Sequence, residues 1–404
     1  MDRSTSLFVP YVAGLLAPLG IVLVVVALTT GPAFSGVMSD LRVYFDDGGR
    51  LLAGGVQYGD FPLEYPPLAL VPMTLPRLVW PFASPTEQLY AWLFALIEGC
   101  LAVVVGRLVA AVADDSRRAA ATWALLVAAA GVSIAWRYDL WPAATVLGAL
   151  VAAERGRPGL AGVALGVGTM LKLFPIVILP ILAARSLVLR DWAGLWRLLV
   201  GTALTIGLVM GGAFVAAGSD SFQWLAYALN RGLQLESSGS GILLLLHVVA
   251  GQPYAIVYDF GSLQVAAPGA DVMTAATTVV QLLLVGVAGA IALRRFRHDA
   301  ARLGAVPLAS LAMGAVAVLV ALVVASKVFS VQYLVWFLPL VPFLPGRLRW
   351  MALAIAGLST LIYPFGYTLL WHLDPLMAVV LNVRNALLIL FLALLAARQW
   401  KAPA

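Results

Sequence analysis

The residues able to do chemistry are few, and they are grouped. The stretch SDLRVYFDDGGRLLAGGVQYGDFPLEYPPLAL, residues 39–70, carries Asp40, Arg42, Tyr44, Asp46, Asp47, Arg50 and Glu64 directly after an apolar run. Further along come WRYDLWP (Arg137, Tyr138, Asp139), Lys172, NRGLQLESS (Arg231, Gln234, Glu236) and SKVFSVQYLVW (Lys327, Gln332, Tyr333). An ionisable group in a bilayer costs at least ~2.5–3.5 kcal/mol, so each of these marks either a working site or a structural pair. No acid lies within the apolar run that holds Lys172, so an anion must reach it from another segment or from a ligand. Lys327 is in the same position. A lipid phosphate would satisfy both lysines, and Arg231 could join them.

Each group also has a plainer reading. Ser39 or Asp40 precedes a helix start and could bind the free amides there. Asp46 and Asp47 read as solvated, and Glu64 either orients a substrate or caps the next helix. Arg137 and Asp139 could be a structural ion pair at a helix junction, and Arg384 a partner of Asp374 or of a backbone carbonyl. His247, His298 and His372 lack metal-ligand spacing, and there is no Gly-rich phosphate loop or nucleophile elbow. Neither a metal nor a cofactor is therefore expected. Cys100 stands alone, which excludes an internal disulfide.

These side chains must be positioned by helices in a membrane. The chain is 62% hydrophobic and 11% charged, with a mean hydropathy of +0.98. A hydrocarbon core about 30 Å thick needs roughly 20 apolar residues per helix, and such runs recur throughout. The spans fall near 11–30, 88–110, 118–136, 140–153, 160–172, 173–184, 198–217, 273–293, 305–325, 331–345, 350–369 and 376–397. The expected fold is all-α and polytopic, with about 12 (range 10–13) transmembrane helices. The net charge of +6 does not point to nucleic acid, because the arginines sit in short clusters between apolar runs. That is the positive-inside pattern, and it puts both termini in the cytosol of a bacterial inner membrane. Residues 1–404 read as one membrane domain with outer loops at 31–64 and 218–241.

On this layout the polar groups gather at the outer ends of the spans. Residues 40–53 read as an amphipathic helix on the outer interface, with Asp40, Tyr44 and Asp47 on one face and an Arg42–Asp46 pair on another. Residues 65–80, broken by four prolines, read as an interfacial element or a short span. The run GVALGVGTMLKLFPIVILPIL reads as two short helices meeting near Lys172–Pro175.

The order SDLRVY, YGDFPLEYPPLAL, LGVGTMLKLFP, RGLQLES, SKVFSVQYLVW resembles the polytopic glycosyltransferases of the C superfamily. It is most similar to family 87, whose characterised members are polyprenol-phosphate-mannose-dependent alpha-mannosyltransferases. The resemblance spans roughly residues 10–345 and implies a GT-C-like fold. It further implies Asp40 as general base, and it matches the family's YPP element to Tyr65, Pro66 and Pro67 and the lysine before a proline to Lys172 and Pro175. The implied reaction is inverting transfer of a sugar, with mannose first in view, from a polyprenyl-phosphate donor to a lipid or glycan acceptor at the outer face. Lys172, Lys327, Arg231 and Arg137 would then bind the donor phosphate. Tyr44, Glu64, Tyr65, Asp139, Gln234, Glu236, Gln332 and Tyr333 would position substrate among membrane lipids. The chain departs from the family in its LEYPP and in the Arg-Tyr-Asp at 137–139, which leaves sugar and acceptor open. A lipid-substrate transporter or flippase, which also buries charges and breaks helices, and a non-catalytic envelope-assembly protein are the alternatives.

Overall fold

A computed structural model describes residues 3–30, 39–79 and 86–401, with the side chains of residues 3–15 and 39 excepted. Residues 31–38, the start of the expected outer loop, lie outside the described residues. The chain is mostly helical. In order, the first elements are α1 (Arg3–Thr29), α2 (Ser39–Leu52), α3 (Leu70–Leu78), α4 (Glu87–Val112), α5 (Ser116–Ala135), α6 (Leu140–Glu154), α7 (Pro158–Leu171), α8 (Leu179–Val188) and α9 (Trp192–Ala217). Then come α10 (Gln223–Asn230), α11 (Ser238–Ala250), strands β1 (Ala255–Asp259) and β2 (Ser262–Ala266), α12 (Ala270–Leu303) and α13 (Leu308–Val324). The chain finishes with α14 (Gly346–Thr360), α15 (Tyr367–Trp371) and α16 (Pro375–Trp400). Among the described residues, six helices are long and apolar enough to cross a membrane.

Helix starts follow local chemistry. Thr86, Asp115, Asp191, Ser237 and Asp374 each accept a hydrogen bond from a first-turn amide. Asp374 is thus a cap and not the partner of Arg384. Proline opens α7 and α16, where a missing amide proton costs nothing.

Three expectations about secondary structure need correction. Residues 331–345 do not form a membrane-spanning α-helix. They run as two 3-10 segments, Val331–Trp336 and Leu338–Phe343, where Pro339 and Pro342 remove helix donors. Residues 238–250, in part assigned to a loop, form α11. The all-α expectation misses an antiparallel hairpin, β1 with β2, whose second strand also pairs with the 233–235 segment through Leu235 N–H to Leu263 O and Val265 N–H to Leu233 O. Extended backbone without water must find partners, and this small sheet supplies them.

The α2–α3 corner positions the first acidic cluster. Gly48 lets the backbone of α3 approach, since a Cβ there would lie 2.8 Å from Met73 O. Arg77 donates to Phe45 O at 2.8 and 3.1 Å and stacks 3.9 Å over the Phe45 ring. This docking buries Asp47 to 5% exposure beside Arg50, at 3.2 Å, so the reading of Asp47 as solvated is wrong. Asp46 and Arg42 are exposed, and no Arg42–Asp46 ion pair forms among the described residues. At nine residues α3 is about 14 Å long, too short to span a bilayer.

The core is built on close approach. Gly162 and Gly166 on α7 face Leu198, Thr202 and Thr205 on α9, and a Cβ on Gly162 would lie 2.2 Å from Leu198 O. This is small-residue packing of the kind membrane helices use where burying apolar surface gains nothing. At the centre, α13 is apolar all round and almost wholly buried, which fits an inner helix shielded by its neighbours.

Candidate active site

Two ion pairs and an aromatic cluster form where the end of α5, the start of α6 and the end of α7 meet α2 and the 3-10 segment Val331–Trp336. Asp139 stands at the start of α6, fully buried, and accepts two hydrogen bonds from Lys172 Nζ at 2.7 and 2.9 Å. A third comes from Trp336 Nε1 at 2.6 Å. Lys172 sits where α7 ends and the backbone turns extended before Pro175, so the helix break puts its ammonium beside α6. Four rings surround that ammonium, with Tyr138, Tyr333, Tyr65 and Trp336 centroids 5.2, 5.7, 5.8 and 6.0 Å away. Ring faces attract a cation, so cage and carboxylate hold Lys172 together.

Asp40 and Arg137 form the second pair, Oδ2 to Nε at 3.0 Å. The Arg137 guanidinium, buried at the end of α5, also donates to Trp136 O and to Tyr363 Oη at 3.2 Å. The expected Arg137–Asp139 pair is therefore exchanged for Arg137–Asp40 and Lys172–Asp139. Neighbouring residues on a helix junction point in different directions, so each finds a partner from another segment. The anion that Lys172 requires is Asp139. Tyr44 joins the two pairs, being buried with its ring 5.5 Å from Tyr138 and 6.4 Å from Tyr65, and close enough to Asp40 to feel its charge.

A third group lies under the hairpin. Arg231 donates to Ser262 Oγ at 2.8 Å and lies close to Tyr333, whose ring stacks on Trp336 at 4.1 Å. Glu64 lies beside Tyr227 and Arg231, and burial raises its carboxyl above the usual range while those two pull it back. Lys327 donates to Leu229 O at 2.7 Å and shares the field of Arg231. Among the described residues neither Arg231 nor Lys327 makes an ion pair.

Burial sorts the remaining candidates. Gln234 and Glu236 are buried. The Gln234 amide donates to Lys327 O, and Glu236 accepts from the Val331 amide at 3.1 Å. Burial raises the Glu236 carboxyl to about 7, against the pull of Arg384 and the Val331 amide. Arg384 donates to Glu236 O at 2.9 Å and stacks 4.0 Å over Phe329, so the backbone-carbonyl reading holds for it. Gln332 accepts from Ser330. Asp40, Glu64, Tyr65, Lys172, Arg231, Lys327, Gln332 and Tyr333 all keep partial exposure and so form the reachable face of the cluster.

Sequence reasoning missed Trp336, Tyr363 and Tyr227. Trp336 closes SKVFSVQYLVW and could have been read with it. Tyr363 and Tyr227 carried no local signal, because a lone aromatic in an apolar run reads as packing. Among the described residues, no cluster of His, Cys, Asp and Glu suits a metal ion.

No curated relative matches the sequence. The profile of glycosyltransferase family 87 matches residues 63–321, well over half of the chain. That segment contains Arg137, Asp139, Lys172 and Arg231, while Asp40 precedes it and Lys327 follows it. With apolar helices of membrane length, a polar cluster at their ends and this match, the chain belongs to glycosyltransferase family 87.

Proposed function

We propose that the chain is an inverting glycosyltransferase that moves a sugar, mannose being the first candidate, from a polyprenyl-phosphate donor to a lipid or glycan acceptor. The site faces the outside of the cytoplasmic membrane, with both termini cytosolic, and residues 1–404 act as a single catalytic unit. The observation that carries this reading is the partly exposed carboxylate Asp40 beside Tyr65, with Arg231 near the same ring and Lys327 beside Arg231, neither cation making an ion pair among the described residues.

Asp40 is the general base. It takes the proton of the acceptor hydroxyl as that oxygen attacks the anomeric carbon, and the bond from that carbon to the donor phosphate breaks on the opposite face. The leaving group departs as a polyprenyl phosphate carrying the bonding electron pair. Arg137 fixes the carboxylate through Oδ2. The growing negative charge on phosphate needs cations already in place, an electrostatic task that costs no rearrangement at the moment of reaction. Arg231 and Lys327 suit it best. Lys172 and Arg137 are each matched by a carboxylate, so their contribution to phosphate binding is secondary to holding Asp139 and Asp40.

Tyr65, Tyr333, Gln332 and Glu64 line the approach and orient the sugar. Tyr44, Asp139, Gln234 and Glu236 act from behind as positioning residues. The test is transfer by purified protein in lipid with labelled polyprenyl-phosphate-mannose and a membrane-extract acceptor. Asp40→Asn should lower kcat by at least about 10²–10⁴-fold with donor binding retained. Arg231→Gln should mainly weaken donor binding. Full activity in the Asp40→Asn variant would overturn the assignment.

A further inference from the structure

At the end of the bundle opposite the candidate active site, α12 and α16 finish while α13 and α14 begin. Between them lies a cavity of about 820 Å3. Arg295, Arg347, Arg398 and Lys401 line it, and among the described residues no acidic side chain does. Arg295 is already engaged by Asp299 at 2.9 Å, which also accepts from Ser310 Oγ at 2.6 Å. Arg347, Arg398 and Lys401 are exposed and make no ion pair among the described residues. Three positive charges therefore converge with no acidic partner among the described residues.

The rest of the lining is not that of a pocket for a small soluble anion. Met313, Phe343 and Leu394 give it an apolar wall, and Leu394 is 43% exposed on the outer surface of α16. Trp350 in the early part of α14 and Trp400 at the end of α16 are 65% and 56% exposed, and Arg294 stacks 3.8 Å over the Trp400 ring. Exposed tryptophans at helix ends mark the headgroup level of a bilayer. The cavity thus combines a cationic floor, an apolar side and a depth at which lipid phosphates lie.

We infer that this cavity binds the phosphate headgroup of an anionic membrane lipid, with the acyl chains lying along the exposed leucines of α16. The lipid is a bound partner on the opposite face from the reaction, and its binding does not depend on the proposed chemistry. Basic residues near a membrane surface attract anionic lipid by about a factor of five each, so three together provide about a hundredfold preference.

The test uses full-length protein, with Arg347→Gln, Arg398→Gln and Lys401→Gln combined and Arg295 left in place. Wild type and variant are compared by native mass spectrometry and by thermal unfolding in phosphatidylcholine vesicles with and without phosphatidylglycerol. Wild type should retain phosphatidylglycerol and gain thermal stability from it. The variant should unfold like wild type in pure phosphatidylcholine, lose the gain, and bind phosphatidylglycerol about a hundredfold more weakly. Equal retention by both proteins would overturn the inference. So would equal protection of wild type by inorganic phosphate alone, since that would make the ligand a soluble anion.

Discussion

The Asp139–Lys172 pair offers a demanding test of how the site is held. Asp139 is fully buried and takes three hydrogen bonds, two from Lys172 and one from Trp336. Removing one partner of a buried pair leaves a bare charge and costs ~3–5 kcal/mol. In Asp139→Asn the ammonium keeps its ring of four aromatic faces at 5.2–6.0 Å. Each ring contributes about 0.5–1 kcal/mol, so the loss should sit at the lower end, about 3 kcal/mol. In Lys172→Met the carboxylate keeps only the Trp336 N–H, and no ring face favours an anion. That variant should lose as much or slightly more. The double variant leaves no bare charge, so it should cost no more than either single, and the coupling energy should be about 3 kcal/mol. Reversible unfolding by SDS in mixed micelles, followed by tryptophan fluorescence, measures all four proteins. A second series at high salt should leave the coupling unchanged, because a buried pair is poorly screened. Single-variant losses that simply add would refute the reasoning, as would a coupling that salt abolishes.

Asp47, outside the membrane-spanning helices, gives a pH prediction. Burial raises its carboxyl from 3.8 to about 6, with Arg50 pulling the other way. The native state therefore binds this proton more tightly than the unfolded state does. Its contribution is most favourable below about pH 4, and stability falls by about 2 kcal/mol as pH rises from 4 to 6. Asp47→Asn should flatten that part of the stability profile, and an unchanged slope would count against the burial argument. At the α7–α9 contact, Gly162→Val forces a side chain into space held by Leu198 O. It should cost about 1–3 kcal/mol in the same unfolding assay, whereas Gly148→Ala, at an open position, should cost almost nothing.

By itself the sequence determined the membrane class, the placement of most helices and the identity of the costly polar residues. Those follow from local quantities: a run of apolar residues must be long enough to cross hydrocarbon, and a lysine inside one must be compensated. It also located the break at Lys172–Pro175, because proline chemistry acts on its own neighbours. The tertiary structure decided partnership and burial. Asp47 looked solvated because its neighbours in the chain are polar, yet α3 closes over it. Arg137 and Asp139 looked like a pair because they are adjacent, yet one meets Asp40 from α2 and the other Lys172 from the end of α7. The proline-rich 331–345 stretch had membrane length and hydropathy, but its backbone runs in 3-10 turns. The Trp336 indole thereby reaches Asp139, which lies 197 residues away in sequence. Hydropathy and spacing are summed along the chain, whereas an ion pair depends on distances between segments that only packing brings together.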